Sequence, residues 1–272
     1  MEDYVKDKRL IYKDQDQGDY SIFDAQEDEL GSGPDQSLYP NASTWGNLFA
    51  NESKATVFRY GTDKLEKSLA VQSTKKLFGV WQENNSDGTF KGKVLLPGMK
   101  EPETILDHLS VPGEHMKINV LNAALVLFLM GVESKRIIQI CGSWTGIEHR
   151  LQYFHSWKNA LGTTFKFYND SCATVPEAAA AATQSFGKSV IFLTGGTDKG
   201  LELNYLENVL SEKGENDVLN ENGIIPVKQI YFLEGTATQK IIPGLKNKNV
   251  DYNGPFDSLE KMFYSLKQDI EK

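Results

Sequence analysis

The segment between Gly142 and Thr174 carries side chains suited to holding a charged small molecule. His149 and Arg150 are adjacent, and the run 169–171 places Asn-Asp-Ser directly after an apolar stretch. An arginine presents a planar, permanently charged fork that suits phosphate or ribose oxygens. An acid at a strand end can accept hydrogen bonds from ribose hydroxyls. The pattern is typical of the nucleotide-binding edge of an open α/β sheet.

Two flanking segments could add further ligand contacts. Upstream, His115 and Asn119 open an apolar helical stretch, and a side-chain amide can pair with the edge of adenine. Downstream, Gly195-Gly-Thr-Asp-Lys199 follows an apolar run, and glycines there allow a ligand to approach the backbone closely. Taken alone, these segments are better explained as a helix cap with an exposed amide and as a surface turn.

Helices and strands must position these residues, and the spacing of apolar side chains predicts both. Residues 114–130 repeat apolar positions every three or four residues and are predicted to form a buried helix. Beyond residue 146, predicted strands 163–168, 189–193 and 228–233 alternate with predicted helices 175–185, 203–210 and 258–270. That alternation indicates a parallel sheet with right-handed crossovers.

The first part of the chain is predicted to be mixed and rich in loops. Residues 3–8 are predicted to end a helix, 26–45 to form a loop, and Ser134 to cap a helix over 135–141. Strands are predicted at 9–12, 20–23 and 55–61, and a hairpin joins 76–81 to 90–96.

Composition excludes several classes of function. The net charge of -8 argues against a nucleic-acid partner bound through backbone electrostatics. The longest apolar run, 123–132, is shorter than the roughly 20 residues of a membrane span. No signal peptide opens the chain, and the two cysteines form no C-x-x-C pair. We therefore expect a cytoplasmic protein that has no membrane span, no zinc site and no disulfide framework.

Together these motifs resemble the muramyl ligase family of bacterial cell-wall synthesis. The resemblance implies an α/β fold: residues 1–146 form the later part of a mixed-sheet ATP-binding domain, and 147–272 form a Rossmann-like, mostly parallel C-terminal domain that is truncated. Within the family, it implies the ATP- and Mg2+-dependent ligase that adds D-glutamate to UDP-N-acetylmuramoyl-L-alanine through an acyl phosphate.

The resemblance also assigns roles to residues on the nucleotide side. Lys8 matches a family lysine that precedes a strand, is carbamylated and helps to hold Mg2+; the residue pattern alone favours a surface lysine. His115 and Asn119 match the Gly-x-His-Asn-x-x-Asn motif that contacts ATP, although Met116 replaces its first asparagine. Arg150 and Asp170 match family residues that bind ATP.

On the substrate side, Lys199 matches a lysine that binds the carboxylate of the incoming amino acid. Thr174 is a further candidate substrate contact, and His149 is expected to shape the hinge rather than to act as a base. Cys172 replaces the family lysine that reaches the phosphates. Because a thiol carries no positive charge, another cation must substitute, or activity is reduced.

The family's phosphate loop and magnesium-binding residues belong to an N-terminal portion upstream of the matching segment. We therefore expect that portion to be a missing partner and the isolated chain to be inactive. Residues 182–189 fit a looser phosphate-loop pattern, but there a helix precedes and a strand follows, the reverse of the required order.

Three alternatives stay open. The chain could derive from a related muramyl or folylpolyglutamate-type ligase that adds another amino acid, as the changes at Met116 and Cys172 allow. It could be a non-catalytic nucleotide-binding fragment or a scaffold. A Rossmann-type oxidoreductase predicts Gly-x-Gly-x-x-Gly after a first strand, which the sequence lacks.

Overall fold

The chain forms two compact units in a computed structural model that describes residues 2–25, 33–34, 37, 44–61, 78–85 and 89–271. Unit one comprises Met1–Ser110 and His115–Trp144, and unit two comprises Val111–Glu114 and Thr145–Lys272. Each unit has its own hydrophobic core.

Unit one is built on a five-stranded sheet with strand order β1-β2-β3-β4-β5. The first three strands are parallel, whereas β4 and β5 pair antiparallel, which confirms the predicted mixed sheet. Its described strands are β1 (Tyr20–Asp24), β2 (Thr56–Gly61), β3 (Gly79–Asn84), β4 (Phe90–Leu95) and β5 (Glu103–Leu106). Its described helices are α1 (Glu2–Arg9), α2 (Trp45–Glu52), α3 (Glu114–Leu129) and α4 (Ser134–Ser143).

Helix α3 supplies much of the core of unit one. Leu121 and Leu125 are fully buried in one cluster with Val94 and Ile105 of the sheet. Gly92 of β4 allows this packing, because a Cβ at that position would lie 2.6 Å from Leu121 Cδ1. Burial of this apolar stripe is what holds the helix in place, since isolated helices of this length are marginal in water.

A buried arginine fastens the carboxyl end of β1. Arg59 Nη2 donates to the Asp24 carbonyl at 2.6 Å and to Asn47 Oδ1 of α2 at 2.8 Å. Burial lowers the pKa of Arg59, and the charge of Asp24 opposes that shift. Burial, together with Asp24, raises the pKa of the neighbouring Tyr60 to about 12. Tyr60 therefore stays neutral at physiological pH.

Unit two contains a three-stranded parallel sheet of order β10-β9-β8 and a separate antiparallel pair, β6-β7. The parallel sheet confirms the prediction for the strands at 189–193 and 228–233. The strand predicted at 163–168 was wrongly placed in that sheet, because it pairs antiparallel with the segment 152–158, which was not predicted as a strand. The described strands are β6 (Gln152–Lys158), β7 (Thr164–Asn169), β8 (Ile191–Thr194), β9 (Gln229–Leu233) and β10 (Asn253–Phe256). The described helices are α5 (Pro176–Gln184), α6 (Asn204–Ser211), α7 (Thr236–Asn247) and α8 (Leu259–Ile270).

Strand β9 is buried on both faces. Ile230 and Phe232 join the core formed with α5, α6 and α7, whereas Tyr231 joins Met262 and Leu266 of α8. This division follows from the alternation of side chains along a strand. Helices on both faces are the usual cover of a parallel sheet, and they fix the strand ends from which loops emerge.

The predicted strand at 9–12 and the predicted helix cap at Ser134 were wrong. Residues 10–14 form turns rather than a strand, because the N–H groups of Leu10 and Ile11 donate to carbonyls at the end of α1 at 3.1 and 3.2 Å. Glu133, not Ser134, precedes the first turn of α4, and the Ser134 hydroxyl donates instead to the Glu103 carboxylate. Helix α2 begins at Trp45, the last residue of the predicted loop.

Some predicted features fall on residues outside the described ranges. These are most of 26–43, the start of the first hairpin strand at 76–77 and the hairpin turn at 86–88. Within the described ranges, residues 182–189 run from α5 toward β8, so the helix does precede the strand. No helix in those ranges is long and apolar enough to cross a membrane.

We predict that Leu125→Ala lowers the free energy of unfolding of unit one by about 3 kcal/mol, because removing a fully buried leucine leaves a cavity. The neighbouring Val126 is 45% exposed, so Val126→Ala is the matched control and changes stability by less than about 0.5 kcal/mol. Urea unfolding measures both. Equal losses in the two variants would contradict the assignment of this helix face to the core.

Candidate functional site

A strained arm at residues 149–151 carries the predicted arginine. His149 and Leu151 have φ values of 63° and 44°, in the left-handed region that residues other than glycine seldom adopt. Leu151 is buried, whereas His149 and Arg150 are exposed. The N–H of His149 donates to Gln152 Oε1 at 3.0 Å. The arm therefore presents Arg150 to solvent from a backbone that needs outside support.

The turn after β7 provides this support. Asp170 Oδ1 accepts the N–H of Leu151 at 2.9 Å, and the N–H of Cys172 donates to the carbonyl of His149 at 2.9 Å. Asn169 Nδ2 lies 3.0 Å from His149 Nδ1. We call residues 148–151 and 169–172 the seam. The structure thus brings His149, Arg150 and Asp170 together in one hydrogen-bonded unit.

Cys172 and Thr174 continue from the seam toward α5. The Cys172 thiol lies 4.0 Å from the carbonyl of Glu148, as a weak donor, and the N–H of Thr174 donates to the carbonyl of Cys172 at 2.9 Å. Thr174 is exposed and stands two residues before Pro176, the first residue of the helix. Its hydroxyl is accessible to a ligand, while Cys172 serves the internal bonding of the seam.

Lys199 lies on the loop after β8, whose start is packed tightly against the loop after β9. The carbonyl of Gly196 accepts the N–H of Ala237 at 3.0 Å. A Cβ at Gly235 would lie 2.2 Å from that same carbonyl, so only glycine fits there. This close approach anchors the loop that carries Lys199 to the first turn of α7.

Asp198 and Lys240 fix the other end of this loop. The N–H of Asp198 donates to Thr236 Oγ1 at 2.7 Å, and Asp198 Oδ1 accepts the N–H of Gly200 at 2.9 Å. Lys240 Nζ donates to the carbonyl of Leu201 at 2.7 Å and lies 3.3 Å from Asp198 Oδ2. Lys199 is exposed between these anchored residues, so its amine can reach an anionic group from a fixed backbone.

In unit one, His115 and Asn119 lie one helical turn apart on the same side of α3. His115 is half-buried and Asn119 is exposed. Met116, between them, is buried in unit one. The structure therefore brings the two predicted polar residues together and places the replaced family position in the interior.

Lys8 is exposed in the last turn of α1. That helix is tied to α2, because Glu52 accepts hydrogen bonds from Arg9 Nη2 at 2.7 Å and from the Tyr12 hydroxyl at 2.8 Å. Within the described parts of the chain, no group of three or more His, Cys, Asp or Glu side chains is placed to hold a metal ion. Lys8 thus lies on a helix that is held against α2, but no cluster of metal-ligating side chains surrounds it among the described residues.

Sequence reasoning missed Asn169, Asp198 and Lys240 as supporting residues. Asn169 and Asp198 each adjoin a predicted site residue, and their side chains are short acceptors at strand ends, which is the only signal the sequence offered. Lys240 lies on α7, a helix that the sequence did not predict, so no pattern linked it to residue 199.

Comparison with known proteins identifies the relatives of this chain. The curated UDP-N-acetylmuramoylalanine–D-glutamate ligase of Treponema pallidum (strain Nichols) is 27% identical to it over 98% of its length. The enzyme of that name from Staphylococcus aureus (strain MSSA476) is 31% identical over 77% of its length. This chain is a homologue of the muramyl ligases. It covers 52% and 38% of those two relatives, about half their length or less.

Solved structures agree on the fold of this muramyl ligase homologue. A UDP-N-acetylmuramoylalanyl-D-glutamyl-2,6-diaminopimelate–D-alanyl-D-alanyl ligase from Acinetobacter baumannii matches 97% of the chain with a TM-score of 0.54 and 14% identity, and 54% of its own length is covered. MurF from the same organism matches 98% of the chain with a TM-score of 0.52 and 13% identity, and 55% of it is covered. At such identities the likeness concerns the fold alone. No protein-family model matches the chain.

We predict that Lys240→Met loosens the loop of Lys199 in the muramyl ligase homologue. Loss of the hydrogen bond to Leu201 and of the ion pair with Asp198 should accelerate amide exchange at Asp198 and Gly200 by up to about tenfold, as expected for one hydrogen bond. Hydrogen exchange resolved by residue is the measurement.

Lys248→Met is the matched control, because Lys248 follows the same helix but pairs with Glu207 at 3.0 Å, away from the loop. Equal acceleration of the two amides in both variants would show that Lys240 has no specific effect on the loop.

Proposed function

We propose that this chain is part of an ATP-dependent ligase that adds D-glutamate to UDP-N-acetylmuramoyl-L-alanine in peptidoglycan precursor synthesis. The observation that carries the proposal is the seam, in which Asp170 accepts the N–H of Leu151 next to Arg150, in a homologue of ligases that bear this name. In this proposal, residues 1–146 are the later part of the ATP-binding domain and 147–272 belong to the C-terminal domain.

The chemistry of the side chains fits ATP. Arg150 offers an exposed cationic fork for phosphate or ribose oxygens. Asp170 already accepts the N–H of Leu151, yet a carboxylate has about four acceptor sites and has capacity for a ribose hydroxyl as well. On α3, Asn119 could pair with the adenine edge, with His115 one turn away on the same side.

The proposed reaction has two steps. The terminal phosphoryl group of ATP moves to a carboxylate oxygen of UDP-N-acetylmuramoyl-L-alanine, giving an acyl phosphate and ADP. The amine of D-glutamate then attacks the acyl carbon, the bond to the phosphate oxygen breaks, and the amine loses a proton. Lys199 would hold the carboxylate of D-glutamate, with Thr174 and His149 lining the substrate. Positioning and charge neutralisation account for most of such catalysis.

Magnesium enters the proposal through Lys8. As a carbamate, the Lys8 side chain would supply an oxygen ligand of the kind that hard divalent cations prefer. Bound Mg2+ would neutralise phosphate charge during transfer. Since the described residues offer no cluster of acidic or histidine ligands, Lys8 would contribute one ligand among others from the nucleotide, water or residues outside those described.

Phosphate release by the native polypeptide that contains these residues tests the proposal. We expect release to require ATP, Mg2+, UDP-N-acetylmuramoyl-L-alanine and D-glutamate together. Turnover only with another amino acid, or with a folate, would support a related ligase instead. Absence of turnover with D-glutamate, with the other amino acids and with a folate would contradict a ligase function and support a nucleotide-binding or scaffold role.

We further propose that the 272 residues alone do not turn over substrate, because their sequence contains no Gly-x-x-x-x-Gly-Lys-Ser/Thr phosphate loop. The same assay on the isolated chain measures this. Phosphate release above background would refute the proposal and would require a different means of holding the ATP phosphates.

We predict that Arg150→Ala lowers kcat/KM for ATP by about 10- to 100-fold, the effect of losing a charge-assisted hydrogen bond of about 1.5–3 kcal/mol. Arg150→Lys should recover only part of this loss, since an ammonium lacks the bidentate fork. Steady-state kinetics of the native polypeptide measures both variants. Arg136→Ala is the control, because Arg136 is exposed on α4 and bonds Gln139. An equal loss in that control would remove the specific role of Arg150.

A further inference from the structure

Asn169 links the two halves of the seam through both ends of its amide. Its Oδ1 accepts the N–H of Ser171 at 3.0 Å, and its Nδ2 lies 3.0 Å from His149 Nδ1. A backbone N–H can only donate, so the oxygen of the amide must face Ser171. The Nδ2 group is then the donor toward His149, and His149 Nδ1 must be the acceptor.

This arrangement selects one tautomer of the His149 ring. A neutral imidazole whose Nδ1 accepts a hydrogen bond carries its proton on Nε2. On its other side, His149 Nε2 lies 3.7 Å from the carboxylate of Glu148, which is beyond hydrogen-bond distance. The contact with Asn169 therefore selects the tautomer with the proton on Nε2.

The ring contact complements two bonds that hold the backbone of the arm. Asp170 secures the N–H of Leu151, and Cys172 secures the carbonyl of His149. Asn169 secures the side chain of the left-handed residue itself. The last residue of β7 and two residues after it thus restrain three different groups on either side of Arg150.

We propose that Asn169 is a positioning residue, which fixes the tautomer and orientation of the His149 ring and so holds the left-handed arm that presents Arg150. Where it concerns nucleotide binding, this inference rests on the proposed function. Asn169 itself is not placed against the nucleotide, and its effect passes through His149 and the backbone of the arm.

Asn169→Asp tests the inference with the smallest change of shape. A carboxylate can still accept the N–H of Ser171, but it presents an acceptor, not a donor, to His149. We expect the His149 proton to move from Nε2 in the wild-type chain to Nδ1 in the variant. Nitrogen-15 NMR of the histidine ring reports the tautomer directly. Asn169→Ala, which removes both contacts, should return the ring to a mixture of tautomers.

Amide exchange and kinetics report the consequence for the arm. In Asn169→Ala we expect exchange at Leu151 and Cys172 to accelerate, and KM for ATP of the native polypeptide to rise about three- to tenfold with kcat within twofold, matching the loss of one hydrogen bond. In Asn169→Asp the carboxylate accepts from the relocated Nδ1–H group, so exchange and KM should stay close to their wild-type values. Asn208→Asp is the control for the added charge, because Asn208 is exposed on α6 and accepts from Lys248 Nζ at 2.6 Å.

The results separate this inference from the proposed function. A proton on Nδ1 in the wild-type chain, or a ring that keeps its tautomer in Asn169→Asp, overturns the inference. So does unchanged amide exchange at Leu151 and Cys172 in Asn169→Ala. If the wild-type native polypeptide shows no ATP-dependent turnover, the proposed function fails, and the ring and amide data still decide the role of Asn169.

Discussion

The hydrogen bond from the N–H of Leu151 to Asp170 Oδ1 joins the two segments on which the seam depends. A left-handed backbone costs a non-glycine residue roughly 1–2 kcal/mol, and the arm contains two such residues, His149 and Leu151. A hydrogen bond to a charged acceptor contributes about 1.5–3 kcal/mol net, so this bond is comparable in size to the strain it opposes. The exposed position of Arg150 is thus a property of the turn after β7 as much as of its own neighbours.

The parallel sheet of unit two likewise fixes the backbone of the loop that carries Lys199. Because β9 is covered on both faces, its end at Leu233 is fixed, and the loop that follows can approach Gly196 without a side chain between them. The first turn of α7 then supplies a hydroxyl acceptor to Asp198 and, one turn later, the amine of Lys240. Core packing is therefore transmitted to the loop through backbone contacts rather than through the exposed ion pair alone, which is worth little at a surface.

The sequence predicted correctly those helices and strands whose apolar pattern matches their burial in the folded chain. β8 and β9 were found because they are continuous apolar runs, and α3 was found from its apolar stripe. α7 was missed because Pro243 and Gly244 signal a break, yet the helix contains both; a Cβ at Gly244 would require the Glu207 side chain to move, since it would lie 2.0 Å from Glu207 Oε2. Apolar character alone also predicted a strand near Leu10, where the chain instead continues from α1 in exposed turns.

For the site, the sequence likewise predicted individual residues but not the hydrogen bonds between them. Motifs pointed to Arg150 and Asp170 individually, because their chemistry is visible in their residue types. The sequence could not show that Asp170 accepts a hydrogen bond from the backbone next to Arg150. That bond depends on non-glycine residues in the left-handed region, which residue types do not predict. Asn169 was hidden for a related reason: its importance comes from which atom of its amide faces a ring distant in sequence.

The two departures from the family motifs have a common physical meaning. Met116 packs into the interior of unit one, so apolar burial replaces an amide, and any contact to a base edge from this helix must rely on Asn119. The Cys172 thiol lies 4.0 Å from the carbonyl of Glu148, whereas the bond to the carbonyl of His149 comes from the backbone N–H of Cys172 and does not depend on its side chain. Neither replacement offers the amide or the amine that the family motif has at its position. Arg150 would then supply the positive charge at the proposed phosphate position, and its arm is restrained by the backbone bond between Cys172 and His149.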